Sequence, residues 1–383
     1  MKTLSSFNVK NKVVLLRADL NSNVVNGKVL GGERIKEASE TIKLLKKKKA
    51  KVVVIAHQGR PGKEDCLSLK SHAKLLSKHT PVGFVEDLFG EKAKKTISSL
   101  KPGQAILLEN LRFYKEEEED KKNKLVENLS KWCDIYVNDA FSVCHRKNAS
   151  IVTLPKYMKA CAGPLVEKEL NALEKLHLNK SLYILGGAKP EDNLRLLGKN
   201  KVIACGLFAQ MCLISKGKNL GVQNKYLEKT VQDYKGTLKK LSSKLKNVIL
   251  PIDFGVKVNG KRKDLDLNDF PSKYKIFDVG PKTRKIFIKE IKKAKAIYMK
   301  GPVGDFSSRG FEKGTFEVLK AISNSKAFSL IGGGHLSDAI VKSKINKNKF
   351  NHLSLSGGAL LDFVAGDKLP GIEILKKEEK NKK

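Results

Sequence analysis

This sequence is short of negative charge: 40 Asp and Glu stand against 76 Lys and Arg in 383 residues, a formal net charge of +36. Such an excess suits a nucleic acid, an anionic membrane surface or an anionic substrate. Aromatic residues are sparse too, at 7%, and none is interleaved with the lysine clusters at 46–49 and 376–383. Material for a base-stacking platform is therefore missing, and lysines spread over almost every expected helix make a solvated surface rather than a nucleic-acid footprint. The six cysteines (Cys66, Cys133, Cys144, Cys161, Cys205, Cys212) form no C-x-x-C pair and no His-partnered spacing. That argues against a zinc site or a disulfide framework and for a reducing cytoplasm. No apolar run approaches the roughly 20 residues of a membrane span, and residues 1–12 lack an apolar stretch of signal-peptide length. G-x-x-x-x-G-K-[ST] is absent, as is a well-placed G-x-G-x-x-G. Walker NTPases, protein kinases and ordinary dinucleotide dehydrogenases are thereby excluded.

What the chain does have is enough residues for two cores and a repeated alternation of strand and helix. Short Val/Ile/Leu-rich runs at 12–20, 51–57, 83–88, 104–109 and 135–141 read as buried parallel strands. The segment 33–48 between two of them places Ile35, Ala38, Ile42 and Leu45 on one helical face. A second series follows at 181–185, 201–204, 247–251, 275–279, 294–299, 327–331 and 352–355. The expectation is an α/β protein of two doubly wound, Rossmann-like parallel-sheet domains separated by a cleft and hinge. The first domain is expected over 1–157, a connector helix over 158–178, the second domain over 179–356, and a C-terminal segment, 357–383, returning to the first.

Ligands of such sheets bind beyond the carboxyl ends of the strands. In the first series those ends are polar and basic: Arg17-Ala-Asp19-Leu20-Asn21, His57-Gln58-Gly59-Arg60, Glu109-Asn110-Leu111-Arg112 and Asn138-Asp139, with Arg34 opening the helix after the first strand and Arg146 beyond the last. One strand-end arginine usually serves a structural ion pair. Arg34, Arg60, Arg112 and Arg146 at one edge would instead form a pocket for a small, multiply charged anion. In the second series the ends carry glycine: Gly186-Gly187-Ala188-Lys189, Cys205-Gly206, Gly301-Pro302-Val303-Gly304, Gly332-Gly333-Gly334-His335 and Gly357-Gly358. Tight turns alone need glycine, but several at equivalent ends let backbone and helix N-termini approach the phosphates of a nucleotide.

Taken in order, these strand-end motifs resemble phosphoglycerate kinase over essentially the whole chain, and His57-Gln58-Gly59-Arg60-Pro61-Gly62 with His335 resembles its archaeal branch. The resemblance implies a two-substrate enzyme of glycolysis and gluconeogenesis, transferring phosphoryl between ATP and the carboxylate of 3-phosphoglycerate by hinge closure. It implies Asp19, Leu20, Asn21, Arg34, His57, Gln58, Gly59, Arg60, Arg112 and Arg146 for the acid phosphate. For the nucleotide it implies Gly186, Gly187, Lys189, Gly206, Gly304, Asp305, Ser307, Gly332, Gly333, Gly334, His335 and Leu336. Arg34, Lys189 and Gly334 would serve catalysis, with Mg²⁺ carried by ATP or ADP rather than by a protein metal site, in a cytoplasmic monomer. Asn193, Cys205, Lys300, Ser307 and Ser356 depart from the family pattern, which implies altered nucleotide recognition. A family member that binds without efficient turnover, or a basic nucleic-acid-associated protein, is the alternative.

Overall fold

The computed structural model describes residues 1–176 and 180–380. Positions 177–178 of the expected connector and 381–383 of the expected C-terminal segment lie outside the described residues. The chain forms two compact units, Met1–Leu170 together with the chain from Gly366 onward, and Asn171–Ala365.

The first unit is built on six parallel strands in the spatial order Gly83–Phe84, Ala105–Leu107, Lys51–Ile55, Val13–Ala18, Ile135–Asp139, Lys159–Ala162. Strands of Val, Leu and Ile are buried on both faces because helices cover both sides. Helix Glu33–Lys47 buries Ile35, Ala38, Ile42 and Leu45 into this core, the face that its spacing predicts. The order of connections reverses between Val13–Ala18 and Ile135–Asp139, and that reversal opens a crevice at the carboxyl ends of these strands. Strand Lys159–Ala162 falls in a segment that the sequence assigns to the connector. Its Lys-Ala-Cys-Ala carries no β-branched residue, and only pairing with Ile135–Asp139 makes it a strand. Helix Pro164–Lys175 follows, its first turn fixed by the buried Asp139 carboxylate, which accepts the Leu165 N–H at 2.7 Å. Near the chain's end, helix Pro370–Lys380 returns to the first unit, where Gly371 donates to the Cys144 carbonyl at 2.9 Å.

The second unit also has six parallel strands, in the order Val248–Ile249, Lys201–Ala204, Leu182–Leu185, Ala296–Lys300, Phe328–Gly332, His352–Ser354. The order reverses between Leu182–Leu185 and Ala296–Lys300. The run at 275–279 is not a member of this parallel sheet. Ile276–Val279 joins a separate antiparallel sheet with the hairpin Asp253–Val258 and Lys261–Asp266. Arg262 of the hairpin, bonded to the Asp278 carboxylate at 2.8 Å, fastens that sheet together. Among the described residues no helix is long and apolar enough to cross a membrane.

Candidate functional site

At the reversal point of the first sheet the penultimate residue of the central strand is Arg17, whose side chain is only 2% exposed. Its Nε donates to Ser150 Oγ at 3.0 Å and its Nη1 to the Ala18 carbonyl at 2.7 Å, while Nη2 stands 3.3 Å from His57 Nδ1. Arginine can only donate, so Nδ1 is the acceptor and the His57 ring carries its proton on Nε2. Glu117, also buried, lies 4.0 Å from Nη2 and accepts from the Ser150 N–H and hydroxyl. Burial drives the His57 pKa well below the usual histidine range, and the charges of Arg17, Arg112, Arg146 and Arg34 lower it further. The ring is therefore neutral and stands amid four guanidinium groups.

Around it the strand-end loops lock together. Asp19 Oδ2 accepts from Ser142 Oγ at 2.7 Å and pairs with Arg34 Nε at 3.2 Å, and Arg34 Nη1 donates to the Asn21 carbonyl at 2.6 Å. Asn21 Oδ1 accepts the Gly59 N–H at 2.9 Å, and Arg112 Nη1 donates to the Gly59 carbonyl. Gly59 has φ +72°, and a Cβ there would lie 2.1 Å from the Asp65 carbonyl, so only glycine fits this turn. Arg60, Arg112 and Arg146 have no ion pair among the described residues, and burial together with neighbouring guanidinium charge lowers the pKa of Arg112 and of Arg146. Cations left without counter-charge at one edge attract an anion from solution. Leu20 is fully buried in the core, so it can offer a ligand only its backbone.

Six supporting residues lie outside the set the sequence reading assigns to the ligand: Arg17 and Asn110, which it places only within strand-end motifs, and Ser142, Ser150, Glu117 and His72, which it does not single out. Asn110 Oδ1 accepts the Gln58 N–H while its Nδ2 donates to the Gln58 carbonyl. Gln58 Oε1 accepts the Ser22 N–H at 2.8 Å and stands 3.0 Å from His72 Nε2, which is thus the protonated ring nitrogen. Burial pushes the His72 pKa down to about 4. A buried neutral histidine stabilises fully above its unfolded pKa of about 6.5 and loses that contribution as pH falls through 6.5 toward 4. Asp139, raised to about 6 by burial, acts in the opposite sense over much of this window. The expected result therefore lies in a difference: against His72→Gln, the native chain loses about 3 kcal/mol between pH 7 and pH 4 in urea titrations. A pH-independent difference would show that His72 is not buried in its neutral form.

In the second unit the glycines divide into two kinds. Gly186 donates to the Lys300 carbonyl, Gly187 to that of Pro302 and Gly206 to that of Val303, at 2.8–2.9 Å. A Cβ on Gly186 would lie 2.2 Å from the Pro302 carbonyl, and one on Gly206 2.8 Å from the Gly187 nitrogen. Those glycines are needed for packing between strand ends, and their amides are already engaged. Gly304 is similar, with its N–H on Thr315 Oγ1 and Asp278 against its Cα. Gly333, at φ +108°, and Gly334 instead have nothing within 4 Å of a built Cβ. They begin helix Gly334–Lys342, whose first N–H groups have no acceptor within the helix. His335 is exposed there, Leu336 is core and Gly332 packs on Leu360. Lys189 is exposed at the N-cap of helix Pro190–Leu194. Asp305 accepts from both Ser307 and Ser308, so its carboxylate is engaged within its own loop. A paired substitution separates the two kinds: Gly186→Ala is expected to destabilise by about 3 kcal/mol or more. Gly334→Ala should leave stability within about 1 kcal/mol. Equal melting shifts in scanning calorimetry would refute this division.

The phosphoglycerate kinase family model matches residues 4–367. A phosphoglycerate kinase of Methanopyrus kandleri is 37% identical over 397 residues, covering 98% of this chain and 97% of the relative. One from Pyrococcus furiosus is 39% identical over 401 residues, covering 98% and 97%. Among solved structures, the phosphoglycerate kinase of Pyrococcus horikoshii OT3 is similar with a TM-score of 0.90 at 36% identity, covering 99% of this chain and all of the other. That of Coxiella burnetii follows with 0.81 at 33% identity, covering 98% and 99%.

Proposed function

Since this chain belongs to the phosphoglycerate kinase family, and is thereby a phosphotransferase with a carboxyl acceptor, we propose how its own residues divide the reaction. The first unit takes 3-phosphoglycerate on Arg34, Arg60, Arg112 and Arg146, with Asp19, Asn21 and the neutral His57 as hydrogen-bonding partners of its polar groups. The second takes ATP or ADP, with phosphates at the Gly333–Gly334 helix start and beside Lys189. The acceptor carboxylate is ionised at neutral pH. One of its oxygens bonds to the terminal phosphorus as the bond from phosphorus to the bridging oxygen breaks, and that electron pair leaves with ADP. No proton moves, so no general base is needed, and catalysis is alignment with charge neutralisation. Arg34, Lys189 and the amide of Gly334 supply the neutralisation from protein.

Magnesium prefers hard oxygen donors and keeps much of its shell as water and phosphate oxygen. The helix start offers the imidazole of His335 and, further along, Asp338. That donor set suits an ion held mainly by the nucleotide's phosphates, where it would offset phosphate charge. In-line transfer needs reacting atoms about 3–3.5 Å apart. Closure with both ligands bound therefore belongs to this assignment, and small-angle scattering without compaction would remove it. A cytoplasmic monomer is the setting we assign.

The observation that carries the assignment is the gathering of arginines at this strand edge around His57, of which Arg60, Arg112 and Arg146 have no ion pair among the described residues. A coupled assay with ATP and 3-phosphoglycerate tests it. Formation of 1,3-bisphosphoglycerate that stops when either substrate is omitted is the expected result, and binding of both without product would favour a non-catalytic member.

A further inference from the structure

Lys300 ends strand Ala296–Lys300, one of the two strands between which the second sheet reverses its order. Its side chain is 18% exposed, and its Nζ donates to Asn193 Oδ1 at 3.1 Å and to Asp192 Oδ2 at 3.3 Å. Asn193 is fully buried and holds the Gly186 carbonyl through Nδ2 at 3.0 Å, while the Lys300 carbonyl receives the Gly186 N–H. The ammonium is thus fixed beside the Gly186–Gly187 turn. Burial lowers its pKa, Asp192 and then Glu191 oppose that, and the positive charge of Lys189 lowers it further, so Lys189 stands close enough to add its charge to that of Lys300. An ammonium has three N–H donors, and protein oxygens occupy two of them. A partly desolvated cation at a sheet's reversal point, near a second cation, is arranged for an anion.

We propose that Lys300 is a phosphate-contacting cation of the nucleotide site, with its third N–H directed at the terminal phosphate of a nucleoside triphosphate. The inference rests on the nucleotide assignment for this unit. Its charge adds to that of Lys189, and Asp192 and Asn193 hold it in place when no ligand is bound.

The test uses the full chain with Lys300→Met, Lys300→Asn and the exchange Asn193→Lys/Lys300→Asn, which carries the ammonium across the 3.1 Å contact. Both single variants should lower kcat by about 100-fold and leave KM for 3-phosphoglycerate within about twofold. In calorimetric titrations Lys300→Met should lose about tenfold in ATP affinity and less than about threefold in ADP affinity. The exchange should return kcat to within about fivefold of the native value, because only the position of the charge is restored. A Lys300→Met enzyme within about threefold of native kcat overturns the proposal. So does a parallel loss of ATP and ADP affinity that the exchange fails to restore, since Lys300 would then only hold the turn. The ATP titration needs no turnover. A native chain that binds ATP yet transfers nothing would sink the kinase assignment while leaving this contact measurable.

Discussion

Arg34→Ala is expected to lower kcat/KM for 3-phosphoglycerate by about 10²–10³-fold with the melting temperature almost unchanged. The side chain is partly exposed, so little packing is lost. What is lost is electrostatic. Arg34 faces Asp19 at 3.2 Å and the Asn21 carbonyl at 2.6 Å, and without it the Asp19 carboxylate would stand uncompensated beside an incoming trianion. Like charges at such a site repel the ligand and misplace its carboxylate. Arg34→Lys should recover only part of the activity, because a point ammonium cannot serve Asp19 and Asn21 together through a planar fork. Steady-state kinetics of the three proteins decide the matter, and activity of Arg34→Ala within about threefold of native would remove Arg34 from the mechanism.

Arg17→Met is expected to act on stability instead, costing about 3–5 kcal/mol in denaturant titration. Removing this buried guanidinium strands Glu117, whose pKa burial already raises and whose neighbouring charge Arg17 supplies. It also leaves Ser150 Oγ and the Ala18 carbonyl without a donor. Replacing both partners by apolar residues of similar volume, Arg17→Met/Glu117→Met, should restore much of the loss, since no charge is then buried alone. Equal losses in the single and double variants would show that the pair is not coupled.

The parallel sheets were legible because burial on both faces forces uninterrupted Val, Ile and Leu, and the arginines of the first site were legible because they follow those runs directly. Other features depend on partners distant in sequence. Glu117 sits within an acidic run at 116–119 that reads as solvated surface, and its burial is made tolerable by Arg17, one hundred residues earlier, and by Ser150, 33 residues later. His72 reads as a polar residue on a short helix until Gln58 is placed against it. The hairpin had a local signal, Asn259-Gly260, both with positive φ as a two-residue turn of type I′ requires. It was masked by Lys261–Asp266, whose charges hide any alternation of faces. The second-unit glycines mislead for a different reason: backbone packing and phosphate approach demand the same residue, and only space around each Cα tells them apart.

The return of helix Pro370–Lys380 has a consequence during synthesis. Leu369, Ile372 and Leu375 of this last stretch are buried in the unit that begins at Met1. A nascent chain therefore exposes an unfilled apolar seat beside Cys144 and Ile151 throughout translation of the second unit. The unit started first is completed only after the second unit has been synthesised. Chains stopped at Ala365 should be cleaved by protease in the first unit much faster than chains that carry helix Pro370–Lys380, and equal resistance would show that the seat closes without its helix.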